Sequence, residues 1–214
     1  AIRLPPGAGD VELAVEVQAT VGKPTRVWEV DLLGMPGDLS DQPGGTRVTD
    51  AGLRLLDGLR VAGLSIGGAP ITDAGLETIG KMGGLDRLRL RDVAITDAGL
   101  QRLSGLPGLR TLDLSGSTIV GDGLAALQPL RRPWQLNLSR TNFDDEGLRH
   151  LVGRNIRSLD LSRTAITGDG LAHLAGQGID SLRLDRTKVG DLGVAHLVMF
   201  GGELLGLEGT RITD

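Results

Sequence analysis

The chain has no cysteine. That excludes disulfides, thiolate metal sites and cysteine nucleophiles, and it leaves the compartment open, because a cysteine-free chain survives in either redox environment. Tyrosine is absent too, and there are only two Phe and two Trp in 214 residues, so the core must be built from Leu, Ile, Val and Ala. No apolar run approaches the ~18 residues needed to span a bilayer. The opening "AIRLPPGAGD" lacks the charged-then-apolar order of a secretory signal. A strong excess of basic charge is also missing: the net charge is −4, which argues against a general nucleic-acid binder. Membrane insertion and nucleic-acid partners are therefore not expected. What the chain has in excess is glycine, 34 residues, about twice the usual share of roughly 7%. Leu-rich, Gly-rich and aromatic-poor, it reads as many short elements joined by tight turns.

The chain repeats itself. "VTDAGL" at 48–53 returns as "ITDAGL" at 71–76 and 95–100, then more loosely as "IVGDGL" at 119, "FDDEGL" at 143, "ITGDGL" at 166 and "VGDLGV" at 189, with a closing "ITD" at 212–214. An L-x-x-L-x-L pattern precedes these copies. Its last apolar residue falls at Ile66, Leu90, Leu114, Leu138, Leu161, Leu184 and Leu207, in steps of 24, 24, 24, 23, 23 and 23.

The register L-x-x-L-x-L-x-x-T-x-I-T-D-x-G-L-x-x-L resembles a leucine-rich repeat, over about residues 27–214. Within that family it is similar to the "ITD-x-G-L" type, shared by the cysteine-containing repeats of F-box proteins and by many bacterial, notably planctomycete, repeat proteins. Thr stands at the family's usual Cys or Asn position in Thr46, Thr141, Thr164, Thr187 and Thr210, with Ser117 alongside, while Ala69 and Val93 depart from it. The resemblance implies an α/β fold: a right-handed solenoid of about seven to eight coils, with a parallel β-sheet on the concave face and short helices on the convex face. It implies a scaffold for partners rather than one chemistry.

The residues argue for the same shape. In "LDRLRLRDVAITDAGLQRLSGL" (85–106), Leu88 and Leu90 alternate with Arg87, Arg89 and Arg91, the period of a half-buried strand. Val93 and Ile95 turn back inward. Thr96 or Asp97 is expected to cap the following helix, whose Leu100, Leu103 and Leu106 form one apolar stripe. Gly52, Gly75, Gly99, Gly123, Gly147, Gly170 and Gly193 recur at each helix start, which points to close packing there. The repeated Thr is expected to face inward with its hydroxyl on nearby backbone, as a buried hydroxyl requires.

Domain organisation follows. Residues 1–26 form an N-terminal cap segment, in which 10–21 read as a strand or, nearly as well, as a helix. Residues 27–214 form the repeat domain. Its first coil is irregular: the strand-to-strand step from Leu32 to Ile66 is 34, and the excess is a Pro/Gly/Asp-rich loop insertion at 34–45. The last coil is incomplete, leaving Leu205, Leu207 and Ile212 at an exposed edge, so this end is expected to continue into further chain or to pack on another chain, a second copy included.

No reactive constellation survives comparison between coils. Ser162, Asp169 and His173 look like a triad, yet Ser162 follows a concave strand and His173 lies on a convex helix, too far apart for a nucleophile and its base. Ser139, Asp145 and His150 repeat the same pattern one coil earlier. His150, His173 and His196 stand 23 apart on neighbouring helices, and helices packed ~8–10 Å apart do not converge on one zinc. Gly-Asp-Gly at 121–123 and 168–170 lacks the Lys and Ser/Thr of a phosphate loop. Neither enzyme activity nor a cofactor or metal is expected.

The outward strand positions carry the informative residues. Arg87, Arg89, Arg91, Asp113, Asn137, Asp160, Arg183 and Asp185 face the concave side, with Arg140, Arg163 and Arg186 in a row just beyond the strands. Asp160 and Asp185 are the nearest expected partners for that row. Trp134, at a strand start, is a candidate rim anchor. The expected function is a non-catalytic protein–protein interaction module that presents a polar, Arg-rich concave surface to another protein. The alternative is a substrate-recognition or targeting segment of a larger enzyme or receptor, such as a ubiquitin-ligase-type receptor or a bacterial effector.

Overall fold

The computed structural model describes residues 2–3, 7–11, 13, 28–32, 47–127, 134–197 and 201–213. Nine strands form one parallel sheet in sequence order: β1 (Ile2–Arg3), β2 (Trp28–Leu32), β3 (Val61–Gly67), β4 (Arg87–Arg91), β5 (Thr111–Asp113), β6 (Trp134–Asn137), β7 (Ile156–Asp160), β8 (Ser181–Arg183) and β9 (Leu204–Gly206). Parallel neighbours need a crossover, and here each fully described crossover carries a one- or two-turn helical segment. Among the described residues Asp73–Ile79 is the longest α-helix; at three places a single α turn runs into a 3-10 turn, as at Asp97–Leu100 and Gln101–Gly105, and Asp122–Leu127 and Gly170–Leu174 are 3-10 turns alone.

The register is that of the repeat. Leu64, Leu88, Leu112, Leu136, Leu159 and Leu182 align across the sheet and are buried. Ile66, Leu90, Leu114, Leu138, Leu161 and Leu184 make a second buried row beneath them, and the helical segments close the core with Leu76, Leu100, Leu124, Leu148 and Leu171. Because each side chain fits between two neighbouring coils, a Leu→Ala change in either row is expected to cost about 2–5 kcal/mol. The repeated Thr behaves as expected: Thr141, Thr164 and Thr187, with Ser117, are buried and donate to the carbonyl three residues back at 2.6–2.7 Å.

The "ITD" motif caps and also links coils: Thr49 and Thr72 accept from the N–H groups of Gly52 and Ala74 at 3.4 and 3.3 Å, as a cap does, and the same residues bond across coils. In Asp10–Thr49, Asp50–Thr72, Asp73–Thr96, Asp145–Thr167 and Asp191–Thr213, one carboxylate oxygen accepts the Thr N–H at 2.8–2.9 Å and the other accepts its hydroxyl at 2.5–2.7 Å. Each Asp therefore clamps the next coil. Neither the Thr96 nor the Asp97 side chain bonds its own helix start: Thr96 makes no side-chain cap, and Asp97 accepts the N–H groups of Val120, Gly121 and Gly123 in the next coil at 2.8–2.9 Å. The motif glycine completes the device. A Cβ on Gly75 would collide with the Asp50 carboxylate, so glycine at this position makes room for the clamp. Where Gly121 and Gly168 replace the clamping Asp, the facing residues are Asp144 and Gly190 instead of Thr. Acceptor and donor are lost together, and Asp144 turns to its own helix, accepting from the N–H groups of Glu146 and Gly147.

The sheet begins earlier than the repeat pattern. Ile2 and Arg3 pair with Val30 and Asp31, and Asp10 clamps Thr49 as the later Asp residues do. Within the segment that reads as strand or helix, Asp10, Val11 and Leu13 are helical, with Leu13 N–H donating to Gly9 at 3.1 Å; residues 12 and 14–21 lie outside the described residues. So does the insertion at 34–45. At the other end Leu205 and Ile212 are exposed and Leu207 is half-buried.

Candidate concave binding surface

Ser162 follows β7, whereas His173 belongs to the helical segment Gly170–Leu174 across the core, with buried Leu159, Leu161, Leu171 and Leu174 between the two layers. The triad-like residues do not meet. His150, His173 and His196 lie on successive helical segments or their ends, and His150 Nε2 sits 3.6 Å from Asp122. Among the described residues no three His, Asp or Glu side chains are grouped as a metal site.

The outward strand positions align into columns. One runs Gly63, Arg87, Thr111, Gln135, Ser158, Ser181; the next runs Ser65, Arg89, Asp113, Asn137, Asp160, Arg183. Short polar side chains at the centre and arginines at both ends leave a groove of about 260 Å³ across β4 to β8, walled by Arg89 and Arg91 on one side and Arg183 on the other. Four strand steps of ~4.8 Å place Arg89 and Arg183 about 19 Å apart along the sheet.

The acids of this surface are committed to the fold. Asp113 is buried; it accepts Arg91 Nε at 2.7 Å and the Ser115 N–H at 3.1 Å. Asn137 and Asp160 accept the N–H two residues on, from Ser139 and Ser162, each at 2.9 Å, the local turn for which Asx side chains are suited. Asp185 accepts the Glu208 N–H at 2.8 Å. The arginines divide. Arg87 is held by Glu29 and by Asp86 at 3.2 Å, and Arg91 by Asp113. Arg89, half-buried, and Arg183, exposed, have no ion pair among the described residues. Three arginines, Arg89, Arg91 and Arg183, face two carboxylates, Asp113 and Asp160, so the groove is net cationic by one charge although the whole chain is anionic.

The Arg row is rearranged relative to expectation. Arg140 pairs with Asp92 at 2.7 Å, two coils back, and Arg186 approaches Glu208 at 3.8 Å. Asp160 and Asp185, the nearest partners by sequence, are occupied by backbone N–H groups. The row also has a property that sequence reasoning missed. Gly68, Asp92, Gly116, Arg140, Arg163, Arg186 and Gly209 occupy one position in successive coils, and all have φ between +51° and +72°. Gly at three of the seven was the available signal. Trp134 begins β6, but its side chain lies outside the described residues.

A family model described as Leucine Rich repeat matches residues 154–175, one period of the ladder just described. The chain folds as an α/β leucine-rich-repeat solenoid. Solved structures with this architecture include an internalin from Listeria monocytogenes, with a TM-score of 0.61 and 19% identity over 87% of this solenoid and 54% of that protein. Internalin C2 from the same organism gives a TM-score of 0.60 and 20% identity over 96% of this solenoid and 76% of that chain. A plant peptide hormone receptor, RGFR1, in complex with RGF2, gives 0.51 and 15% over 78% and 27%. The solenoid thus spans about half the length of the first of these. No curated protein sequence matches it. The described helices include none long and apolar enough to cross a membrane.

Proposed function

We propose that this leucine-rich-repeat solenoid is a non-catalytic protein–protein interaction module whose contact surface is the concave groove across β4 to β8. The observation that carries this reading is the charge accounting of the groove. Asp113, Asn137 and Asp160 are engaged by the chain's own backbone and Arg91, while Arg89 and Arg183 face outward with no ion pair among the described residues. Unpaired arginines on a rigid, mostly small-side-chain floor suit a polypeptide with acidic groups, because a guanidinium binds carboxylate through two parallel bonds. Curved solenoids are used for partner binding because neighbouring coils present a long continuous surface, and one solved structure of similar fold is a plant peptide hormone receptor in complex with RGF2.

The test compares the wild type with an Arg89→Ser/Arg183→Ser variant in affinity capture from native extract, followed by cross-linking to map the contact. These two changes leave the Arg87–Glu29 and Arg91–Asp113 pairs in place, so stability should match the wild type. The expected result is loss of the captured proteins from the variant and cross-links to groove residues such as Gln135 and Ser158. Capture of the same proteins by both, or cross-links confined to the convex helices, refutes the reading.

A further inference from the structure

Three consecutive coils place arginine where the chain's own geometry favours glycine. Arg140, Arg163 and Arg186 have φ of 60°, 58° and 57°, and the equivalent Gly68, Gly116 and Gly209 have 58°, 72° and 66°. In this region a Cβ crowds the following carbonyl, and only short side chains such as Asp or Asn offset the cost locally. Asp92 is the seventh member of the row. Arginine at the other three gains nothing from local bonding, since each backbone N–H simply continues the ladder to the next coil, at 2.9, 2.8 and 2.7 Å. Outliers of this kind are most often kept where a side chain has work to do.

The side chains also diverge. Arg140 reaches back across Gly116 to Asp92, whose carboxylate lies where a Gly116 Cβ would stand. Arg186 leans the other way, with its Cγ 3.2 Å from the Cβ position of Gly209 and its guanidinium toward Glu208. Glycine at both ends makes room for this splay. Arg163 remains in the middle, exposed, with no ion pair or side-chain hydrogen bond among the described residues. Of the three guanidinium groups, Arg140 and Arg186 lie against carboxylates, and Arg163 has its fork of donors open to a carboxylate from outside.

We propose that the Arg140–Arg163–Arg186 row is a carboxylate-docking notch that receives an acidic side chain of a partner polypeptide, with Arg163 as its two-pronged centre. The proposal rests on the reading of the solenoid as a protein-binding module, and it adds a contact at the rim, separate from the groove.

The experiment titrates hexaglutamate peptide into the protein while following the Arg Nε–Hε resonances by NMR, with inorganic phosphate and acetate as parallel arms. The variants are Arg163→Gly, Arg163→Asn and Arg89→Ser/Arg183→Ser. The expected outcome is a hexaglutamate-dependent shift of the Arg163 signal in the wild type and affinity about fivefold weaker in both Arg163 variants. Their thermal midpoints should be equal to or above that of the wild type, since Gly and Asn are suited to positive φ. Millimolar hexaglutamate that leaves Arg163 unmoved, or that binds Arg163→Gly as tightly as the wild type, overturns the notch. A response to phosphate without one to hexaglutamate overturns the carboxylate assignment. Hexaglutamate binding that falls in Arg89→Ser/Arg183→Ser and is unchanged in Arg163→Gly removes the notch and leaves the groove reading standing.

Discussion

The interlock between Asp50, Thr72 and Gly75 makes a strong quantitative demand. Asp50→Ala removes two hydrogen bonds to an ionised acceptor, from the Thr72 N–H at 2.9 Å and hydroxyl at 2.6 Å. At about 0.5–1.5 kcal/mol each, the loss is about 2 kcal/mol. Gly75→Ala should cost a similar amount for a different reason. Its Cβ intrudes on the Asp50 carboxylate, so it breaks the same clamp and adds about 1 kcal/mol of crowding, against about 1 kcal/mol gained from helix propensity. In Asp50→Ala/Gly75→Ala the obstruction is gone. The remaining neighbours of the new methyl are Ile71 Cγ2 at 3.0 Å and Leu53 Cδ1 at 3.1 Å, side-chain ends that can give way. The clamp is lost once rather than twice and the propensity gain is kept, so the double variant should cost about 1 kcal/mol, roughly 3 kcal/mol less than the sum of the singles. Urea denaturation followed by circular dichroism and a second probe measures the cycle, with equal slopes confirming a common transition. In thermal melts, at about 2–4 °C per kcal/mol for a chain of this size, each single should melt several degrees below the wild type and the double between them and it. Additive costs, within about 0.5 kcal/mol, would mean that the glycine is not there to admit the carboxylate.

Three further outcomes follow from the same contacts. Gly116→Ala combines a φ of +72° with a collision against the Asp92 carboxylate, so it should lower stability by about 1–2 kcal/mol; an unchanged urea midpoint would contradict the described turn. Asp113→Ala should cost about 2–3 kcal/mol, because it strands the Ser115 N–H and releases Arg91 from a nearly buried acid; a variant that melts with the wild type yet loses partner capture would make Asp113 a contact residue instead. Asp191 lies below the ordinary carboxyl range because the Thr213 hydroxyl and N–H both donate to its charged form. A folded-state value below the unfolded one of ~3.9 adds stability that is complete above that pH and disappears as pH falls through the folded value. The midpoint gap between the wild type and Asp191→Asn should therefore be widest above about pH 4 and close below it, and a gap independent of pH between 2 and 7 would contradict the assignment.

The apolar period made the register legible before any coordinates, because a solenoid is close to one-dimensional and each coil reports on its neighbours. Leu88, Leu112, Leu136, Leu159 and Leu182 align as the 23–24-residue steps require. What sequence reasoning misplaced were pairings between coils. Thr96 next to Asp97 reads as a local cap, yet both bond across coils, because stacking brings the preceding Asp73 to the Thr96 N–H and hydroxyl. The compensated losses at Gly121–Asp144 and Gly168–Gly190 carried that information, but only a reader already pairing adjacent coils would see it. β1 escaped for a simpler reason: Ile2–Arg3 is too short to show a period, and Asp10 reveals its role only through Thr49, 39 positions on.

The clamp and the turns also explain how an acidic chain comes to present a cationic groove. Net charge counts every Asp equally, yet in this fold many of them are already bonded. Asp50, Asp73, Asp97, Asp145 and Asp191 hold the helical side together, and Asp113, Asp160 and Asp185 shape the strand ends. These carboxylates keep their charge, but their lone pairs point at the chain's own N–H and O–H groups, so they offer a ligand little. Arg89, Arg163 and Arg183 have no such internal task. A guanidinium donates only, and no acceptor among the described residues takes up these three side chains. Repetition therefore sorts the two signs by function: acids are built into the coil, and the arginines left over at a few outward positions distinguish one coil from the next. That is why the variable outward positions, rather than the conspicuous "ITD" motif, are where binding specificity is to be sought.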